Sequence, residues 1–273
     1  MQATRHIMLD AYDCDLEQSN SFMTVNNLLV NLSHKLDMNP VMPPFLLPYY
    51  YCDETEDGGI SAFIICENGS HITIHTFPYR HCYFVDILTD TFCAESEIMH
   101  IIGQHIHAEN VNINIVDRRN DNSPSAAINS SLDFGPHYMI TVEDFDVTSE
   151  QIFKWLDNIA PKINMVPISR PYVIFDKRQT PEFISGVLVV AQSHIAFHYS
   201  ILERTANIDI FSCSFLDDGI VECILEQSFG NKVKIDLFAR GSKYKNTIYY
   251  AEQHRHQQRL NKAWQENIDS CFN

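Results

Sequence analysis

The residues able to do chemistry cluster in one stretch of this chain. In SGVLVVAQSHIAFHYS, residues 185–200, an apolar run stops at Gln192-Ser193-His194, and a second histidine, His198, follows. Ser185 opens the run, and Cys213 closes the next apolar segment, NIDIFSC (207–213). Hydroxyl, imidazole and thiol groups are the raw material of nucleophilic and acid–base catalysis. A single Ser-His dipeptide is more often a satisfied strand residue than a reacting pair. The set gains weight because it occurs twice: Ser61, Ser70-His71, His75 and Asp90 stand at matching places in an earlier stretch.

The repetition extends over most of the chain. HIMLDAYDCD (6–15) aligns with HYMITVEDFD (137–146), and HKLDMNPVMP (34–43) with PKINMVPISR (161–170). GGISAFIICENGSHITIHTF (58–77) aligns with EFISGVLVVAQSHIAFHY (182–199). FVDILTD (84–90) aligns with NIDIFSC, and VNINIVDRR (111–119) with VKIDLFARG (233–241). Five blocks in one order mark an internal duplication. The boundaries this predicts are a first repeat over 1–120, a linker over 121–133, a second repeat over 134–245 and a polar, helical tail over 246–273. The linker falls in a Ser/Asn-rich stretch.

Each repeat has the same plan. A strand opens it (6–12; 137–143). A helix follows, with Thr148 and Gln151 forming a capping box in the second copy. Ile152, Phe153, Trp155, Leu156, Ile159 and Ile163 then lie at helical spacing, as do Phe22, Val25, Leu28, Leu29, Leu32 and Leu36 in the first copy. Apolar strands come next (60–66, 71–77, 83–88; 184–191, 193–199, 207–212). A second helix (95–106; 217–227) and a last strand (111–117; 232–238) close the unit. Strands adjacent in sequence predict an α+β fold with two homologous halves. Each half would be an antiparallel sheet with helices on one face, and the two would pack as a pseudo-dimeric αββα sandwich.

Bulk properties narrow the function. The formal charge is −16 without a basic run, which argues against nucleic-acid binding and suits a small cationic substrate. The start MQATRHIMLDAYDCD lacks a signal-type apolar core, and no stretch reaches membrane-span length, so a cytoplasmic protein is expected. Eight cysteines without regular spacing read as reduced thiols. There is no GxGxxG, P-loop or HExxH. His105/His107 and His254/His256 have a spacing that does not converge on one ion from a helix, and no metal is expected.

The run SGVLVVAQSHIAFH…IDIFSC resembles the pyruvoyl-dependent S-adenosylmethionine decarboxylases of the small bacterial type, here fused in tandem. HIMLDAYDCD is similar to that family's first strand. The resemblance implies an autocatalytically cleaved zymogen. Ser193 would become the covalent pyruvoyl cofactor by scission between Gln192 and Ser193. Ser185 and His198 would assist, and Cys213 would return a proton during decarboxylation. The pyruvoyl ketone would form a Schiff base with the substrate amine and draw electrons as CO2 leaves. Ser61, Ser70, His75 and Asp90 would be degenerate counterparts, with Glu67 as a substrate-binding acid displaced by Asn68-Gly69. A regular strand puts Ser193 and His198 on opposite faces, so a turn before the serine is expected, as in ENGS before Ser70.

Three positions depart from the family pattern. Gln192 replaces the acid before the cleaved serine, Tyr79 and Leu202 replace an acid that holds the ribose, and Asp90 replaces the cysteine. The expected activity is a carboxy-lyase of polyamine biosynthesis acting on S-adenosylmethionine, or on arginine or ornithine. The alternative is an inactive member regulating an active paralogue. A homodimer or a paralogue complex stays open.

Overall fold

Apolar runs build two sheets whose inner strands are covered on both sides. The computed structural model describes residues 2–49, 57–119, 134–177, 181–191 and 193–241. The expected linker and tail, His254/His256 and Gln192 lie outside the described residues.

The first half runs β1 (Arg5–Cys14), α1 (Leu16–Ser19), α2 (Phe22–Lys35), β2 (Phe45–Tyr49), β3 (Gly59–Cys66), β4 (Ser70–Phe77), β5 (Cys82–Thr89), α3 (Glu95–Gly103) and β6 (Ala108–Asp117). The second runs β7 (Gly135–Val142), α4 (Ser149–Lys162), β8 (Tyr172–Asp176), β9 (Phe183–Val190), β10 (Ser193–Ser200), β11 (Thr205–Phe211), α5 (Asp218–Phe229) and β12 (Val233–Arg240). The sheets are six-stranded and antiparallel, in the orders β2-β3-β4-β5-β1-β6 and β8-β9-β10-β11-β7-β12. The second order repeats the first strand for strand. Sequence periodicity finds the inner strands and long helices but not β2, β8 or α1, which are too short or too exposed to carry a clear pattern.

Local chemistry fixes the helices. Ser21 accepts from the Thr24 N–H at the start of α2, and Val25, Leu28, Leu29 and Leu32 then face the sheet. At α4 the Thr148 hydroxyl accepts from the Gln151 N–H while the Gln151 side chain accepts from the Thr148 N–H, the full capping box. Asp217 caps α5 through the Ile220 N–H. α4 sits close to β9 because Gly186 has no side chain: a Cβ there would lie 2.7 Å from Leu156 Cδ1.

The helix-side face of each sheet carries a separate apolar core. Ile7, Leu9, Ile64, Ile74 and Ile87 meet α2 and α3; Ile140, Leu188, Ile195, Phe197 and Ile210 meet α4 and α5. Burying each such side chain contributes about 1.5–3 kcal/mol. The other faces meet each other between the sheets, which is why β3, β4, β5, β9 and β10 are buried along their whole length. That inner layer is apolar on one side (Phe63, Ile65, Val187, Val189), aromatic at one end (Tyr12, Phe77, Phe84, Phe211) and polar through its centre.

Candidate active site

The polar centre is built from residues two or four apart on each strand, which share the strand's inward face. On β10, Ile195, Phe197 and Tyr199 turn to the helix-side core, so His194 and His198 turn inward between the sheets. On β4, His71 and His75 do the same. The four rings join across the interface. His75 Nε2 lies 2.9 Å from His194 Nδ1, and His71 Nδ1 lies 2.7 Å from His198 Nε2, each pair stacked. A serine ends each pair: Ser61 Oγ is 2.9 Å from His75 Nδ1, and Ser185 Oγ is 2.8 Å from His198 Nδ1. Both serines sit opposite their histidines in the strand ladders. Burial, only partly offset by Asp86 and Asp209, pushes the imidazoles down, His71 and His75 to about 4 and His194 and His198 well below the ordinary value. They are neutral at physiological pH.

The sequence set therefore divides in two. Ser193 and Cys213 lie together at one end of the sandwich, where the Cys213 N–H donates to Ser193 Oγ at 2.9 Å. Ser185 and His198 lie together toward the other end of β10. The structure does not bring these two pairs into one site. β10 starts at Ser193 as a regular strand, so Ser193 and His198 occupy opposite faces as well as opposite ends. The Ser-His pair at the Ser193 end comes from the other repeat: Ser61 and His75, with His75 bonded to His194 beside Ser193. The first repeat thus reaches His194, the strand neighbour of Ser193.

The relation is reciprocal. Ser70, Asp90 and Glu67 cluster at the far end: the Ser70 hydroxyl donates to the Glu67 carbonyl, and Asn68 Nδ2 donates to Asp90 Oδ2 at 3.1 Å. Asn68 and Gly69 take φ of 61° and 65°, the turn expected before Ser70. A Cβ on Gly69 would lie 3.4 Å from His198 Cβ, so this end faces Ser185 and His198. Glu67 accordingly lies at the end away from Ser193.

Burial raises the Cys213 thiol, and its hydrogen bond with Ser193 pulls only partly the other way, so it keeps its proton at neutral pH. Phe211, Phe77, Phe84, Tyr12 and Phe134 form an apolar wall beside it.

Sequence reasoning missed the centre of the interface, where His6, His137, Asp86 and Asp209 are completely buried. Two arginines cross between the halves. Arg118 of β6's end donates to Asp209 Oδ1 at 2.8 Å, and Arg240 of β12 donates to Asp86 Oδ1 and, at 2.8 Å, to Asp10 Oδ1. Burial pushes the Asp86 and Asp209 carboxyls up, but Arg240 and Arg118 with the neighbouring histidines outweigh it and hold both well below the usual range. His6, Asp86 and His137 also present ligand-type atoms within 4.8 Å of one another, but Arg240 already supplies positive charge to Asp86. The signal was present: His6/His137, Asp86/Asp209 and Arg118/Arg240 are each identical between the aligned copies.

The sequence profile of S-adenosylmethionine decarboxylase matches residues 5–119 and 143–244. No curated protein matches the sequence. Among solved structures, the adenosylmethionine decarboxylase of Aquifex aeolicus superposes with a TM-score of 0.34 at 16% identity, covering 43% of this chain and 92% of that one. An unknown protein from Galdieria sulphuraria gives 0.21 at 10% identity, covering 87% and 99%. No described helix is long and apolar enough to cross a membrane.

Proposed function

The chain belongs to the S-adenosylmethionine decarboxylase family, and on that premise we propose that it is a self-processing pyruvoyl-dependent decarboxylase working at the Ser193 end of the sandwich. The observation that carries this reading is the hydrogen bond from the Cys213 N–H to Ser193 Oγ, next to His194, whose Nδ1 meets the Ser61–His75 pair of the other repeat. The residue types fit a serine-derived ketone: a buried hydroxyl, a neutral imidazole that can accept a proton, and a protonated thiol that can donate one.

In the processing step the Ser193 hydroxyl adds to the Gln192 carbonyl, and the peptide nitrogen leaves, giving an ester. His75, held by Ser61, takes the protons that must move. Loss of the Ser193 Cα proton then breaks the Cβ–O bond. This releases the 1–192 carboxylate, and water replaces the nitrogen as ammonia. The pyruvoyl group supplies an electron-withdrawing carbonyl to a substrate amine. Cys213 holds the proton for the carbon that loses CO2. The aromatic wall supports a substrate with a flat or cationic group, such as S-adenosylmethionine or a related cationic amino acid.

Intact-mass measurement tests the reading. The wild type is expected as two pieces, 1–192 and 193–273, the second beginning in a pyruvoyl group; Ser193→Ala stays whole. A wild-type chain that stays whole and releases no CO2 sinks the proposal, and fits instead a non-catalytic partner of an active paralogue.

A further inference from the structure

The two arginines that cross the interface are equivalent by the internal repeat, and among the differences in their surroundings one is a carboxylate. Each donates Nη2 to the carbonyl of the matching β-strand residue, Leu9 for Arg240 and Ile140 for Arg118. Each donates Nη1 to the matching central aspartate, Asp86 or Asp209. Arg240 then completes its set with Asp10. Nε donates to Asp10 Oδ1 at 2.8 Å, Nη2 lies 2.7 Å from the same oxygen, and the Gly241 N–H donates to Oδ2 at 2.9 Å. The residue aligned with Asp10 is Thr141, in HYMIT against HIMLD. At Arg118 no second carboxylate arrives: Nη2 donates also to the Ile208 carbonyl at 2.8 Å, and Nε, on a side chain 2% exposed, has no hydrogen-bond partner among the described residues.

A buried guanidinium N–H without an acceptor is costly, and carboxylate is the acceptor its geometry suits best. At the Arg240 end that acceptor is part of the chain. At the Arg118 end there is a cavity of about 790 Å³, lined by Arg118 and Thr141 themselves and by Glu143, Glu203, Lys232 and Lys234. We propose that this cavity binds a small amino-acid-type ligand whose carboxylate takes the place at Arg118 that Asp10 takes at Arg240. The rim holds both signs of charge, so an ammonium group on the ligand can face Glu143 or Glu203. An arginine-paired carboxylate is stabilised against leaving as CO2, so the ligand is a regulator rather than the molecule decarboxylated. The binding itself does not depend on the decarboxylase reading.

Calorimetry on the full chain tests this with two probes of equal length. 4-Aminobutyrate carries one carboxylate; 1,4-diaminobutane carries an ammonium in its place. Saturable binding of 4-aminobutyrate is expected, with the diamine weaker by about tenfold or more, the loss of one charge-assisted hydrogen bond. Thr141→Asp builds the Asp10 arrangement into the cavity and should weaken 4-aminobutyrate by a similar factor while raising the melting temperature; Thr141→Ser should bind as the wild type does. The proposal is overturned if the diamine binds as tightly as the acid, if the wild type shows no saturable binding of 4-aminobutyrate, or if a folded Thr141→Asp binds it unchanged.

Discussion

Mild acid should unfold this protein, and the buried histidines set how much. His71 and His75 titrate near 4 in the folded chain, against the ordinary 6.5 once unfolded. Below pH 6.5 the unfolded chain therefore binds protons that the folded chain refuses, so stability falls as pH falls, until the folded histidines titrate in turn near pH 4. At pH 5 the gap is worth about 2 kcal/mol per histidine, from 1.36 kcal/mol per pH unit below the unfolded value. His71 and His75 together withdraw about 4 kcal/mol, a large share of the roughly 5–15 kcal/mol that holds a typical domain. His194 and His198 act in the same direction. Asp86 and Asp209 titrate well below the window, so they do not blur it. Urea unfolding followed by circular dichroism at pH 7 and pH 5 reads the effect. With a slope of about 2–3 kcal/mol per molar, His71 and His75 alone should drop the midpoint by roughly 1.3–2 M. Equal midpoints at the two pH values would mean the rings are hydrated or charge-compensated in the fold, and the reasoning fails.

Replacing the cross-repeat histidine should separate the two ends. His75→Ala is expected to slow scission at Ser193 by about a hundredfold, the usual worth of a positioned base, and His198→Ala to leave it near the wild-type rate. Time-resolved intact mass decides, and the reverse ranking would return His198 to the Ser193 chemistry. Gly186→Val should push α4 away from β9 and cost about 1–3 kcal/mol, read as a lower urea midpoint; an unchanged midpoint would show that Leu156 can move aside. Arg240→Met should cost about 3–5 kcal/mol by leaving Asp10 and Asp86 buried without their cation. A neutral result in the same assay would mean the pair is no better than the apolar contact that replaces it.

Much of this fold is legible in the sequence because the inner strands are short apolar runs bounded by turns and each long helix carries its own stripe. The capping box at Thr148 and the turn at Asn68-Gly69 can be read from four residues each, since both are closed by contacts within the turn. The site is legible only in part. Ser185 with His198, and Ser61 with His75, are neighbours because β9–β10 and β3–β4 are hairpins, and hairpin register follows from the sequence. Which Ser-His pair faces Ser193 depends on how one sheet lies over the other, and no local pattern encodes that. The grouping of Ser193 with His198 rests on the family resemblance rather than on any local pattern. Parity already objected: residues five apart on a strand cannot share a face. The same parity puts His194, and with it the His75 bonded to it, on His198's face, so strand geometry separates the ends of the sandwich but does not by itself choose the base for Ser193.

The same crossing explains why neither repeat is self-sufficient. Arg118 leaves the first sheet to hold Asp209, and Arg240 leaves the second to hold Asp86, so each half buries a carboxylate that only the other half can neutralise. Separating the halves would strand two arginines and three aspartates, Asp10, Asp86 and Asp209, and breaking buried pairs of this kind costs more than the pairs contribute when intact. A duplication locked this way must keep His6, His137, Asp86, Asp209, Arg118 and Arg240 alike in both copies. It is free to diverge at the two ends, where symmetry demands nothing. There Asp90 stands against Cys213, and Thr141 against Asp10. The conserved-looking centre is thus the clasp of the sandwich, and the differences between the copies are where function is to be sought.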